Sequence, residues 1–83
     1  MHSVEYTKTA QRQIEKFPLE IHERILATIE RSRIRPEQHF ERLSGEPLYK
    51  LRVGDYRVIA QIDNGKLLIL VVKVGHRKNV YGR

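Results

Sequence analysis

Residues 49–59 read YKLRVGDYRVI and decide the fold of this chain. Apolar and polar side chains alternate on both sides of Gly54-Asp55, a pattern typical of two β-strands joined by a tight turn. A two-residue turn would place Arg52 directly opposite Arg57 in the paired strands. The segment therefore predicts an antiparallel hairpin in which two arginines face each other.

The alternation assigns the side chains of this hairpin to two faces. One face is apolar and is predicted to pack on helices; its members are Tyr49, Leu51, Val53, Tyr56, Val58, Ala60 and Ile62. The second face carries Lys50, Arg52 and Arg57. Like charges opposite one another destabilise a sheet by a few tenths to about 1 kcal/mol, whereas a phosphate between them would accept charge-assisted hydrogen bonds. We interpret the second face as an anion-binding surface; the alternative is a longer turn that lets the arginines separate into water.

A second turn is predicted downstream at Asn64-Gly65, because both central positions of a tight hairpin turn need positive φ. Residues 66–74 are almost continuously apolar, which is typical of an interior strand covered on both faces. In this register the second face also carries Leu68, Leu70 and Val72.

The N-terminal half predicts a short strand followed by two helices. Ser3 to Tyr6 forms the strand, and Thr7 is the expected N-cap of the first helix. Pro18 ends that helix and can begin the next one. Residues 37–47 are expected to connect the second helix to the hairpin. The fold class is α+β in the order βααβββ, a two-helix hairpin packed on one face of a small curved, mainly antiparallel sheet.

Composition limits the classes of function. The 83 residues suffice for one domain, spanning 1–83, and the absence of cysteine excludes disulfides and thiolate zinc sites. No histidine or acidic pattern indicates a metal site, and His2, His22 and His39 are interpreted as surface groups. The first ten residues lack the apolar core of a signal peptide, and no apolar run is long enough to cross a bilayer. We therefore expect a cytoplasmic protein without metal, cofactor or membrane segment.

The charge is unevenly distributed. Residues 1–47 carry eight Lys or Arg and eight Asp or Glu, whereas residues 48–83 carry eight Lys or Arg and two Asp. The whole net charge of +6 therefore belongs to the C-terminal part. Such an asymmetry indicates an anionic partner, most commonly nucleic acid, although a basic surface can also serve solubility alone.

The C-terminal segment, residues 75–81, reads GHRKNVY and brings a histidine, two cations and a phenol to the end of the last strand. Together with residues 49–59, and following two amphipathic helices, it resembles the RelE branch of the RelE/ParE toxin superfamily, and the resemblance covers the whole chain. It implies the toxin of a type II toxin–antitoxin system that cleaves mRNA in the ribosomal A site. A cognate antitoxin would neutralise it, and DNA would be contacted only through the toxin–antitoxin complex.

The resemblance also implies roles for single residues. Lys50 matches the proposed general base, Arg57 the group that stabilises the transition state, Arg77 the group at the leaving oxygen, and Tyr81 the tyrosine that orients or stacks on the substrate. His76 is an alternative proton donor, because arginine stays protonated in proteins. The expected RNA-binding residues are Arg42, Arg52, Lys73, Lys78 and Arg83, and the expected antitoxin-binding residues are Leu68, Leu70 and Val72. Some RelE toxins have a lysine where this chain has Leu48, and an arginine where it has Ser44.

The expected chemistry needs no metal, because RNA supplies its own nucleophile, the 2′-hydroxyl. The products would be a 2′,3′-cyclic phosphate or 3′-phosphate and a 5′-hydroxyl. Two alternatives remain at this point. One is a ParE-like inhibitor of DNA gyrase with the same fold, and the other is a non-catalytic module that binds nucleic acid.

Overall fold

Two helices lie against one face of a five-stranded sheet in the computed structural model, which describes residues 1–78. The order along the chain is β1 (Ser3–Tyr6), α1 (Lys8–Glu15), α2 (Leu19–Arg31), a 3₁₀ turn (Pro36–Gln38), β2 (Glu41–Arg42), β3 (Tyr49–Val53), β4 (Tyr56–Asp63) and β5 (Leu68–His76). The strands lie in the order β1-β5-β4-β3-β2. β1 runs parallel to β5, and the other neighbours are antiparallel. The predicted α+β fold is confirmed.

The helices begin where the sequence predicts. The Thr7 hydroxyl accepts a hydrogen bond from the Ala10 amide at 3.1 Å, which caps α1. Pro18 is the N-cap residue of α2. Both helices turn apolar side chains to the sheet, and these pack with the seven predicted core residues of the hairpin. Neither helix in residues 1–78 has the length and apolar character needed to cross a membrane.

The first hairpin has the predicted register. Arg52 pairs with Arg57 across β3 and β4, so the turn is the two residues Gly54 and Asp55. Gly54 has φ +59°, a conformation that strains any residue with a side chain. The predicted alternation is confirmed, because every apolar residue assigned to the core face packs there.

The second turn differs from the prediction. Asp63 pairs with Leu68, so the loop contains four residues, 64–67, instead of the predicted two. The positive φ belongs to Leu67 at 54°, and the Asp63 carboxylate accepts a hydrogen bond from the Lys66 amide at 3.0 Å. A carboxylate that binds the loop backbone in this way stabilises a longer turn than the Asn-Gly pair alone indicates. β5 therefore begins two residues later than predicted and continues through Gly75 to His76.

A β-bulge in β5 determines where Lys73 points. Ala60 pairs with Val71, but the preceding residue, Ile59, pairs with Lys73, so Val72 is an extra residue on β5. A bulge of this kind changes which face the following side chains occupy. Without it Lys73 would lie on the helix face; with it Lys73 lies beside Ile59 on the opposite side of the sheet.

Helix α1 completes the edge of β5 beyond the end of β1. β1 ends at Tyr6, so the following part of β5 needs other partners for its backbone. The Thr7 hydroxyl donates to the Val72 carbonyl at 3.2 Å, and the Gln13 side-chain oxygen accepts from the Val74 amide at 2.7 Å. These bonds satisfy backbone groups next to the bulge and hold that part of the strand in place.

Two further expectations are corrected. Residues 37–47 are not only a connection, because Glu41–Arg42 form a short strand that pairs with β3. His2 is not a surface group: its side chain is 7% exposed and its Nε2 lies 3.0 Å from Asn64 Oδ1. The Arg33 side chain also donates to the His2 carbonyl at 2.8 Å. These contacts join the start of β1 to the segment that follows α2 and to the β4–β5 loop.

Candidate nucleic-acid interface

The face of the sheet opposite the helices, called the outer face, carries four cations in two neighbouring rows. Lys50 and Lys73 lie on either side of Ile59 in one row. Arg52 lies opposite Arg57 in the other. These four basic residues, Lys50, Arg52, Arg57 and Lys73, form the cationic cluster. The cluster draws residues from β3, β4 and β5. The pairing of these strands therefore sets the distances between the backbone positions of the four cations.

Arg57 is the most constrained member of the cluster. Its Nη1 donates to the Gly54 carbonyl at 3.2 Å and to the Tyr56 carbonyl at 3.1 Å. These bonds anchor one nitrogen of the guanidinium at the β3–β4 turn. Arginine has five N–H donors, so Nε and Nη2 remain chemically suited to bind the oxygens of a phosphate.

Lys50 has an acidic neighbour that the sequence analysis missed. Lys50 Nζ lies 3.8 Å from Glu41 Oε1, and the two residues pair across β2 and β3. The two-residue strand β2 is too short to give an alternating pattern, so the sequence offered no signal for this contact. The pair adds a carboxylate, a possible proton acceptor, at the margin of the cluster.

Ile59 is buried although it lies on the outer face. It is 4% exposed but does not belong to the core cluster under the helices. Its cross-strand neighbours are Lys50 and Lys73, and lysine stems commonly cover apolar surface while their ammonium groups stay in water. An apolar side chain that is almost fully covered therefore separates the two lysines of this row.

The C-terminal segment is anchored beside the same turn. The Arg77 amide donates to the Asp55 carbonyl at 2.8 Å, and the side chains of Arg77 and Lys78 are exposed. His76 is not brought to the cationic cluster. It pairs with Tyr56, and their rings meet edge to face at 5.5 Å on the helix side. Tyr81 and Arg83 lie outside the described residues.

The other candidate residues do not belong to the cationic cluster. Arg42 is exposed at the β2 edge, pairs with Tyr49, and donates from Nε to the Glu46 carbonyl at 3.4 Å. Leu68 and Leu70 pair with Asp63 and Gln61 on the outer face and are half-buried, as is Val72. These three apolar residues, called the apolar strip, follow β5 as far as the bulge residue Val72, which precedes Lys73.

The chemistry available to these residues is electrostatic and acid–base. Within residues 1–78 there is no group of three or more His, Asp or Glu placed to hold a metal ion. The positive charge and the N–H donors of the cationic cluster suit the oxygens of phosphate diesters. It can hold an RNA backbone and stabilise extra negative charge on a phosphorus centre.

Comparison with known proteins gives a consistent result. The family model for the ParE toxin of the type II toxin–antitoxin system parDE matches residues 4–81. Toxin RelG of Mycobacterium tuberculosis is 30% identical over 95 aligned positions, covering 99% of this chain and 98% of RelG.

Solved structures show the same fold. The RelBE2 toxin–antitoxin complex of M. tuberculosis contains a chain with a TM-score of 0.84 and 25% identity, with 92% of this chain and 98% of that chain covered. A chain of the E. coli RelBE toxin–antitoxin complex has a TM-score of 0.77 and 23% identity, with coverages of 92% and 96%. The second likeness concerns the fold alone.

Proposed function

This chain belongs to the RelE/ParE superfamily of toxins from type II toxin–antitoxin systems, and we propose that it is a metal-free endoribonuclease that cuts mRNA in the ribosomal A site. The observation that carries the proposal is the pairing of Arg52 with Arg57 on the outer face, next to the row that holds Lys50 and Lys73. Such a concentration of like charge opposes stability and favours a polyanionic substrate.

Arg57 is the proposed stabiliser of the transition state. Its hydrogen bonds to the turn fix the guanidinium before the substrate arrives. Preorganised donors of this kind contribute most where negative charge develops, here on the phosphorane oxygens. Arg52 and Lys73 would hold the neighbouring phosphates of the strand and so align the 2′-hydroxyl with the phosphorus.

Proton transfer is assigned to groups around the cluster. Lys50 is the proposed base for the 2′-hydroxyl, with Glu41 beside it. Arg77 is proposed to stabilise the departing 5′-oxygen, and Tyr81 to stack on a base of the substrate. Because His76 faces Tyr56 on the helix side, the geometry favours Arg77 over His76 for the leaving group.

Ribosomes programmed with end-labelled mRNA would test this proposal. The wild-type protein should cut within the A-site codon and leave a 5′-hydroxyl end. Arg57→Gln should slow cleavage by about 10²–10³-fold, the loss typical of removing one preorganised donor. Arg12→Gln removes the same charge from an exposed position on α1 and should cut at the wild-type rate.

Three outcomes would contradict the assignment. Equal cleavage by wild type and Arg57→Gln would remove Arg57 from the mechanism. Absence of cleavage with inhibition of gyrase supercoiling would favour the ParE-type activity, which the family match also accommodates. RNA binding with neither activity would leave a non-catalytic module.

We also propose that a cognate antitoxin covers the apolar strip of Leu68, Leu70 and Val72. The related RelBE2 and RelBE structures are complexes of a toxin with an antitoxin. Half-buried apolar side chains on an otherwise polar face suit an apolar segment of a partner chain. The toxin would act in the cytoplasm, where mRNA is translated.

The strip can be tested by co-purification and by affinity for the antitoxin. Leu70→Gln should weaken the complex by about tenfold or more, because burying a leucine contributes about 1.5–3 kcal/mol. Leu19→Gln, at a position 68% exposed on α2, is the matched control and should bind normally. Unchanged affinity of the Leu70 variant would place the antitoxin elsewhere.

A further inference from the structure

A basic side chain outside the cationic cluster approaches the β3–β4 turn from the helix side. Arg24 is exposed on α2. Its Nη1, Cζ and Nη2 atoms lie 3.6, 3.7 and 3.7 Å from the position that a Cβ on Gly54 would occupy. Such nearly equal distances are expected when the plane of the guanidinium faces the glycine. The Arg24 guanidinium therefore lies against the β3–β4 turn at van der Waals distance.

Two other arginines are held at the same turn by different parts of the chain. Arg57 donates from the outer face to the Gly54 carbonyl, and the Arg77 amide donates to the Asp55 carbonyl. Helix α2, strand β4 and the C-terminal segment thus each bring an arginine to one end of the sheet. The ion pairs within residues 1–78 are Arg33 with Glu30 and Lys50 with Glu41, so none of these three arginines forms an ion pair in this part of the chain.

We propose that Arg24 binds a phosphate of the RNA strand, so that the RNA path continues from the outer face around the β3–β4 turn to helix α2. This inference rests on the proposed function and deepens it by adding the helical hairpin to the RNA interface. Arg24 belongs to the half of the sequence in which basic and acidic residues balance, so charge distribution along the chain did not reveal it. The contact is sequence-independent, because it is made to the backbone.

The test measures binding of a short single-stranded RNA with 2′-O-methyl groups, which cannot be cut, as the salt concentration is varied. Removing one phosphate contact lowers the slope of log K against log salt by about 0.7 for single strands, equivalent to about 5-fold weaker binding at 0.1 M salt. Arg24→Gln should show both changes. Arg31→Gln removes the same charge from an exposed site on the same helix and should show neither.

Arg24→Lys separates a phosphate contact from support of the turn. Lysine binds phosphate as a point charge, so this variant should keep the wild-type salt slope. Loss of affinity by Arg24→Gln with the salt slope unchanged, together with a lower melting temperature, would make Arg24 a structural residue and overturn the inference. Equal losses in Arg24→Gln and Arg31→Gln would overturn it too, as they would reflect net charge alone.

The result is independent of the ribosome assay. If the ribosome assay shows no cleavage but Arg24→Gln lowers the salt slope, the inference stands and the proposed nuclease activity fails. If the wild-type protein cuts mRNA but Arg24→Gln binds RNA as tightly as wild type, the nuclease proposal stands and this inference fails. Failure of the wild-type protein to bind the RNA would also overturn it.

Discussion

The helix face and the outer face of strands β3, β4 and β5 differ in how much their side chains contribute to stability. On the helix face, β4 contributes Val58 and Ala60, both fully buried among apolar neighbours. On the outer face, the same strand places Arg57 opposite another arginine and Ile59 between two lysines. The first pattern maximises burial, whereas the second sacrifices stability where like charges meet. Such a local departure from stable packing is expected at a functional surface.

Two isoleucines at matched burial measure this difference directly. Ile69 on the helix face is 0% exposed, and Ile59 on the outer face is 4% exposed. Ile69→Ala should lower the free energy of unfolding by about 2–5 kcal/mol, because the packed core cannot close the cavity. Ile59→Ala should cost less, because the flexible stems of its lysine neighbours can move into the space. Chemical denaturation of both variants gives the comparison.

Equal losses for the two isoleucine variants would break the comparison. They would mean that the outer face near Ile59 is packed as tightly as the core. A larger loss for Ile59→Ala would make the outer face the more rigid one, and the lysines beside it would then be structural residues.

The faces were predictable from sequence even where a turn was not. The Asn64-Gly65 prediction misplaced the register of β5 by two residues, because Asp63 pairs with Leu68. Side chains alternate with a period of two, so this even shift left Leu68 and Leu70 on the predicted face.

Features that depend on tertiary contacts were not predictable. The bulge that brings Lys73 to the outer face occurs within a continuously apolar run that shows no local signal. The burial of His2 and the ion pair of Glu41 with Lys50 join residues far apart in sequence or on a very short strand. The periodicity of apolar residues in a sequence indicates which residues alternate along a strand. It carries no information about these contacts, because none of them changes that alternation.

The next largest effect on stability is expected from the hydrogen bond between the Gln13 side chain on α1 and the Val74 amide on β5. Gln13→Ala removes the acceptor of the Val74 amide, which is bound at 2.7 Å. An unsatisfied buried donor costs about 1–3 kcal/mol, so the free energy of unfolding should fall by that amount. Gln11→Ala is the control, because Gln11 is exposed and its bond to the Tyr6 carbonyl is long at 3.4 Å.

Gln13→Glu separates hydrogen bonding from side-chain volume. It retains an acceptor oxygen, so its stability should lie close to that of the wild type. A loss as large as that of Gln13→Ala would show that the amide group of Gln13 has another role, and that the β5 edge does not depend on this bond.

A smaller effect of opposite sign is expected on the outer face. Arg52→Gln relieves the like-charge pair with Arg57 and should raise the free energy of unfolding by about 0.2–1 kcal/mol. Arg35→Gln makes the same change in net charge at an exposed position outside the helices and measures any general electrostatic gain. A decrease in stability for Arg52→Gln, corrected by this control, would mean that the arginine pair supports the sheet and would remove the energetic argument for an anionic substrate.

The smallest expected effect is the change with pH in the contribution of Tyr6, on the helix side, to the free energy of unfolding. Burial raises the pKa of Tyr6 above its ordinary value of 10.0, Glu30 adds to the rise, and Arg33 opposes it. The folded state therefore holds the phenolic proton more tightly than the unfolded state does. The resulting stabilisation is present in full below the unfolded pKa and is lost as the pH rises through the folded pKa.

The measurement is the difference in unfolding free energy between wild type and Tyr6→Phe, which cancels the titration of all other groups. This difference should be constant near neutral pH. Above about pH 10 the wild type should lose stability relative to Tyr6→Phe. A difference that stays constant up to about pH 11 would show that the Tyr6 phenol is as well solvated as one on an open surface. The Tyr6 phenol on the helix side of the sheet would then be less buried than the contrast between the two faces predicts.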